Sequence, residues 1–241
     1  MRPGVPEVHI TDRHDAEVAA YHALAGQAVL GLILGLLAPL ALVDPAFWSI
    51  PAFGTFFGGW AIRRIKNHAG ELAGRKMALA GFTLSLLFAA MAPTDWFVYR
   101  WMVRSEARQF SALWFKCLTG DEPQKAYQLT LAPPSRRALD DRLWDFYRGA
   151  PRLREALEGY VQQPLVRTLL ALGPRAQVRF NQTTKQTREK GNDQVEQLYA
   201  VTYEEEGQRK SFFVCVVMER LKLDNGDADW RVVQTDGSVR P

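Results

Sequence analysis

Residues 63–88, RRIKNHAGELAGRKMALAGFTLSLLF, decide how the chain is read. The first half is a basic, glycine-punctuated loop in which Arg63, Arg64, Lys66, Arg75 and Lys76 face one acid, Glu71, and the second half is an apolar helix. The loop parts two uncharged runs, residues 45–62 and 77–94, and a third uncharged run, 23–43, precedes them. About 20 apolar residues are needed to cross the hydrocarbon of a bilayer, and short loops rich in Lys and Arg stay on the cytoplasmic side. The sequence therefore predicts three membrane segments, near residues 22–43, 46–63 and 76–97, with a cytoplasmic basic loop over 63–76. The N-terminus is then cytoplasmic, and the chain beyond residue 103 lies outside the cytoplasm. Arg100, Arg104 and Arg108 oppose this orientation, but the loop carries more basic residues than they supply.

Residues 1–21 read as a polar tail, and without a basic region beside a short apolar core no cleaved signal peptide is expected. His9 and His14 with Asp12 and Asp15 resemble a metal-ligand group, yet a solvated tail is the simpler reading. The net charge of +4 over 241 residues says little about nucleic acid, because part of the excess sits in the loop that topology explains. The four histidines, His9, His14, His22 and His68, all precede the third apolar run, so the second half has no imidazole for acid–base or metal chemistry. Cys117 and Cys215 make no C-x-x-C spacing and read as buried thiols, with a disulfide as the alternative in an oxidising compartment. Gly31 and Gly35, and likewise Gly54 and Gly58, stand four apart, the spacing on which membrane helices approach closely. Packing within the bundle is the preferred reading of these four, and homodimerisation is the alternative.

The runs LGLILGLLAPLAL, FGTFFGGWAIRRIK and ELAGRKMALAGFTLSLLF resemble the small bacterial membrane family catalogued as domain of unknown function 4190, over about residues 22–90. The elements that carry the likeness are Ala61-Ile62-Arg63-Arg64-Ile65 and the Gly74-to-Gly81 run GRKMALAG. The resemblance implies membrane integration and attaches no activity.

Residues 104–241 have the mixed composition of a soluble domain. Phe110, Leu113, Trp114, Cys117 and Leu118 recur at helical spacing and Gly120-Asp121 ends their helix. Ser135 is expected to cap a further helix carrying Leu139, Leu143, Trp144, Phe146 and Tyr147, while Pro151 and Pro164 open two short ones. From Ala176 the period changes to two, and turns near Lys190, at Glu206-Gly207 and at Asn225-Gly226 divide four strands of an antiparallel meander. The expected class is thus a membrane α-helical part followed by an α+β domain. Within it, QFSALWFKCLTGDEPQKAYQLT resembles the opening of nuclear-transport-factor-2-like, or cystatin-like, domains, in which helices cover a curved sheet to make a cone. That superfamily holds enzymes, binders and interaction modules alike, so the likeness implies a fold and no function.

Candidate pocket-lining residues are Tyr127, Trp144, Asp145, Tyr147, Tyr199 and Tyr203. Asp141 and Asp145 are one helical turn apart, as a paired-carboxylate site requires, but Arg137, Arg142 and Arg148 also make them partners on a solvated face. No phosphate-binding loop, nucleophile elbow or metal-ligand set is recognisable, so no catalytic residue, cofactor or metal is assigned. The three apolar runs hold no charge that would carry an ion. The reading is a multi-pass, non-enzymatic membrane protein whose outer domain binds a protein or a small apolar ligand, without a nucleic-acid role. The alternatives are a tethered enzyme using a carboxylate such as Asp145 or a tyrosine, and a scaffold acting as a homo-oligomer.

Overall fold

Small and aliphatic residues build α1 (Gly26–Leu37), which tightens into a 3-10 turn, Ala38–Leu42, where Pro39 removes a backbone donor. Asp44 then caps a second 3-10 turn, Pro45–Trp48, its Oδ1 accepting from the Ala46 amide at 2.7 Å. α2 (Ser49–Asn67) follows, and the two-residue strands β1 (Ala23–Leu24) and β2 (Leu72–Ala73) pair in parallel. α3 (Arg75–Thr119) has 45 residues and contains Pro93. This computed structural model describes residues 23–24, 26–67, 72–189, 191–223 and 225–237, and the chain divides into two units, Met1–Tyr99 and Arg100–Pro241. The polar tail with His9, Asp12, His14 and Asp15, and also His22, His68 and Glu71, lies outside the described residues.

Arg63, Arg64 and Lys66 belong to the end of α2, and Arg75 and Lys76 open α3, so both ends of the 63–76 stretch are helical. The helix that holds the third apolar run continues to Thr119, because no glycine stands between Gly81 and Gly120 and Pro93 alone does not end a helix that neighbours support. Among the described residues only α3 is both long and apolar enough to cross a bilayer. α1 with its 3-10 extension is shorter, and the last turns of α2 carry three cations. Only 22 % of the apolar window of α3 is buried, whereas the core helix of a water-soluble protein is mostly buried.

The first unit packs on its small residues. A Cβ added at Gly31 would meet Gly58 Cα at 3.1 Å, one at Gly35 the Gly81 carbonyl oxygen at 2.8 Å, and one at Gly58 the Phe82 Cβ at 2.9 Å. Gly54 faces Ser85, whose buried hydroxyl has no described partner. Ala28, Ala38, Ala41, Ala61, Ala78 and Ala92 are buried beside them, with Pro51 and Ile65 as the larger buried residues, while Leu36 and Phe56 are each 64 % exposed, and Ile33, Phe53, Leu79 and Leu87 are exposed as well.

In the second unit prolines open α4 (Pro123–Gln128), α6 (Pro151–Val161) and α7 (Pro164–Leu172), where a missing amide hydrogen costs nothing. α5 (Leu143–Gly149) lies between α4 and α6. Ser135 does not cap a long helix: it ends a 3-10 turn, Pro133–Ser135, so Asp141 precedes α5 and does not share a helix with Asp145. The sheet is the antiparallel meander β3 (Gln177–Glu189), β4 (Asn192–Glu205), β5 (Gln208–Lys222) and β6 (Ala228–Asp236), in that spatial order. Glu206 and Gly207 have φ of 55° and 75°, the positive values that a two-residue hairpin turn demands. On one face Val195 opposes Met218, Gln197 opposes Val216 and Tyr199 opposes Val214, all six buried. The C-terminal part of α3 covers this face, with Ser111 on Tyr199 and the Arg104 carbonyl on Gln197. Fully burying such a Val or Met side chain contributes about 1.5–3 kcal/mol.

Candidate functional site

The sheet face that α3 covers is filled. Tyr199 Oη donates to Gln197 Oε1 at 2.6 Å and contacts Ser111 Oγ, and Gln197 Nε2 donates to the Arg104 carbonyl at 3.0 Å. This network satisfies the fully buried Ser111 and Gln197 inside the core. Burial pushes the Tyr199 hydroxyl up to about 12, against a smaller lowering by Ser111. Arg108 sits 4.6 Å over the ring of Phe180, which in turn packs edge-on against Tyr199.

Open volume lies instead beside the edge strand β6. A cavity of about 530 Å³ is walled by Trp114 of α3, Tyr127 of α4, Ala156 and Tyr160 of α6, and residues 231–235 of β6, with Thr130 and Gln163 at its polar parts. Trp114 and Tyr160 are drawn from different helices and meet through a hydrogen bond, the indole Nε1 donating to Tyr160 Oη at 2.9 Å. Tyr127 stacks obliquely on Tyr160, ring centres 5.2 Å apart. Burial of Tyr160, 6 % exposed, raises its pKa far enough to keep the hydroxyl protonated, although the Trp114 hydrogen bond opposes the shift.

The wall of β6 is partly closed by the chain itself. The Val232 amide donates to the Leu129 carbonyl at 3.0 Å, and Arg136 donates to the Trp230 carbonyl while pairing with Asp229 at 2.9 Å. Arg231 reaches the cavity, but its guanidinium donates from Nε at 2.9 Å and from Nη2 at 2.6 Å to Glu219 Oε2. The wall thus presents aromatic faces, hydroxyls, amides and one already paired cation. Among the described residues that line it there is no carboxylate, imidazole or thiol.

The sequence candidates scatter across the unit. Tyr127 lines the cavity. Tyr147 lies behind it, accepting from Gln128 Nε2 at 2.6 Å and touching Tyr127 edge-on at 5.9 Å. Tyr199 is in the core network, and Tyr203 borders other surface clefts near the β4–β5 turn and packs on Phe212. Trp144 is 39 % exposed beneath Arg148, and Asp145 is exposed at the start of α5. Asp141 faces Lys125 at 3.4 Å rather than a second carboxylate. Sequence reasoning passed over Trp114 as a core residue, and nothing local announces that residues 231–235 face open space.

Cys117 and Cys215 are free thiols. Cys215 points away from the packed sheet face and donates to Glu196 Oε1 at 3.3 Å, and burial with that carboxylate pushes its pKa up to about 12. Among the described residues no group of three His, Cys, Asp or Glu is placed to hold a metal ion. Comparison with protein-family models, with curated proteins and with solved structures gave no match to this chain.

Proposed function

We propose that this chain is a membrane-anchored binding protein, in which the apolar helices sit in the bilayer and the α+β unit offers its cavity to a ligand outside the cytoplasm. The observation that carries the membrane part is the inverted size distribution of the first unit: glycines and alanines inside, Leu36, Phe53, Phe56 and Leu87 outside. In water that arrangement would leave a broad apolar surface uncovered, whereas in lipid small residues are what lets helices associate. On this reading all three helices are embedded, α1 and α2 as a short, glycine-packed pair beside α3. The cations at the end of α2 and the start of α3 favour a cytoplasmic position for those ends, hence a cytoplasmic N-terminus. This arrangement agrees with the likeness to domain of unknown function 4190. The order of helices followed by a four-stranded meander supports the likeness to nuclear-transport-factor-2-like domains.

Binding rather than catalysis is the reading that the cavity supports, since its described lining residues include no carboxylate, imidazole or thiol and burial raises the pKa of Tyr160. The glycine faces are engaged within the unit, which favours a monomeric bundle over a glycine-mediated homo-oligomer. The test is extraction: isolated membranes washed in alkaline carbonate should retain the full chain, and detergent should release it. Recovery of the chain in the carbonate supernatant overturns the membrane reading.

A further inference from the structure

The hydroxyl of Tyr160 is half used. Its oxygen accepts the Trp114 indole hydrogen, and no described residue accepts the hydrogen that Tyr160 itself carries. Tyr160 as a whole residue is 6 % exposed and lines a cavity of about 530 Å³, within the roughly 300–1,000 Å³ span of small-molecule sites. A buried donor left without an acceptor costs free energy. The Trp114 hydrogen bond also polarises the O–H and strengthens it as a donor.

Charge narrows the class of occupant. An anion would find Arg231 already committed to Glu219, and a cation would find no carboxylate on the wall. The partly exposed ring of Tyr127, backed by the buried rings of Trp114 and Tyr160, favours a flat apolar body. We propose that the cavity binds an uncharged, flat ligand bearing a carbonyl oxygen, a ketone, ester or amide, which accepts the free hydrogen of Tyr160. Thr130, Gln163 and Thr235 serve the polar periphery of the same molecule. This inference rests on the proposed reading of the second unit as a ligand binder.

The test uses the full chain in lipid nanodiscs and two fluorinated probes observed by fluorine NMR, 4-fluoroacetophenone and its acceptor-free counterpart 4-fluorocumene, with empty nanodiscs correcting for partition into lipid. The ketone should broaden saturably and bind about tenfold more tightly than the hydrocarbon, a ratio equivalent to about 1.4 kcal/mol. Tyr160→Phe should remove that preference while leaving hydrocarbon binding unchanged. Ala156→Trp, at an exposed position of α6 that lines the cavity, should abolish binding of both probes without touching the hydrogen bond. Equal affinity for the two probes in the unsubstituted protein, with Ala156→Trp still blocking both, refutes the role of Tyr160 and spares the binder reading. No saturable binding of either probe, or binding that survives Ala156→Trp, overturns both. The probe comparison in the unsubstituted protein decides the matter even where Tyr160→Phe fails to fold.

Discussion

Tyr199 shows how much one hydroxyl carries in the second unit. It joins Ser111 of α3 to Gln197 of β4 in a place where neither polar side chain has access to water. Its pKa lies near 12 in the folded chain against an ordinary 10.0, with burial the cause. Below pH 10 the tyrosine is neutral whether folded or unfolded, so its contribution is complete there. Above pH 10 the unfolded chain ionises first, and stability falls as pH rises through 12, by about 2–3 kcal/mol from this group. Tyr160 is shifted in the same direction and adds to the loss. The midpoint of chemical denaturation, followed by tryptophan fluorescence, should therefore drop between about pH 10 and 12, and Tyr199→Phe should flatten part of that drop. An equal drop in the substituted protein would remove the role assigned to Tyr199. At this scale the sequence was a poor guide. Tyr127, Tyr147, Tyr199 and Tyr203 are alike as residue types, and only the elements that carry them decide which meets open space and which meets a buried glutamine.

At the scale of elements, legibility follows the range of the forces involved. The turns at Glu206-Gly207 and Asn225-Gly226 were readable because a hairpin needs positive φ and a local side-chain hydrogen bond, and both are written in adjacent residues. Helix ends were not. The third apolar run and the stripe from Phe110 to Leu118 read as separate elements but lie in the one helix α3, while Ser135 looks like a cap and ends a 3-10 turn. The helix contacts yield a sharper expectation. A Cβ at Gly81 would stand 2.5 Å from the Gly31 carbonyl oxygen and 2.7 Å from the Leu32 nitrogen, both backbone atoms of α1, which cannot give way as a side-chain tip can. Gly81→Ala should destabilise the helical unit by about 1–3 kcal/mol. Gly59→Ala, which meets only ring carbons of Phe82 at 3.4 and 3.7 Å, should lie within about 0.5 kcal/mol of the parent. Unfolding in mixed micelles titrated with dodecyl sulfate measures both, and equal midpoints for the two variants would mean that the backbones are not in contact at Gly81.

At the scale of the whole molecule, the change from apolar to mixed composition near residue 104 told of two kinds of structure, and the chain does contain a helical region followed by a four-stranded antiparallel sheet. Composition is a bulk property and survives errors in where a helix stops. The number of helices that cross a membrane is more demanding, since it turns on where Arg63, Arg64 and Lys66 fall relative to the end of α2. The proposed orientation makes its own demand: alkaline phosphatase fused after Pro241 should be active in cells, and a cytoplasm-dependent fluorescent protein fused there should be dark. The opposite pair of results reverses the sidedness. The size inversion of the first unit has an evolutionary consequence too. A saturation library scored for accumulation in the membrane should accept bulk freely at Leu36, Phe53 and Leu87 and reject it at Ala28, Ala61 and Ala78, the mirror image of the tolerance map of a water-soluble protein.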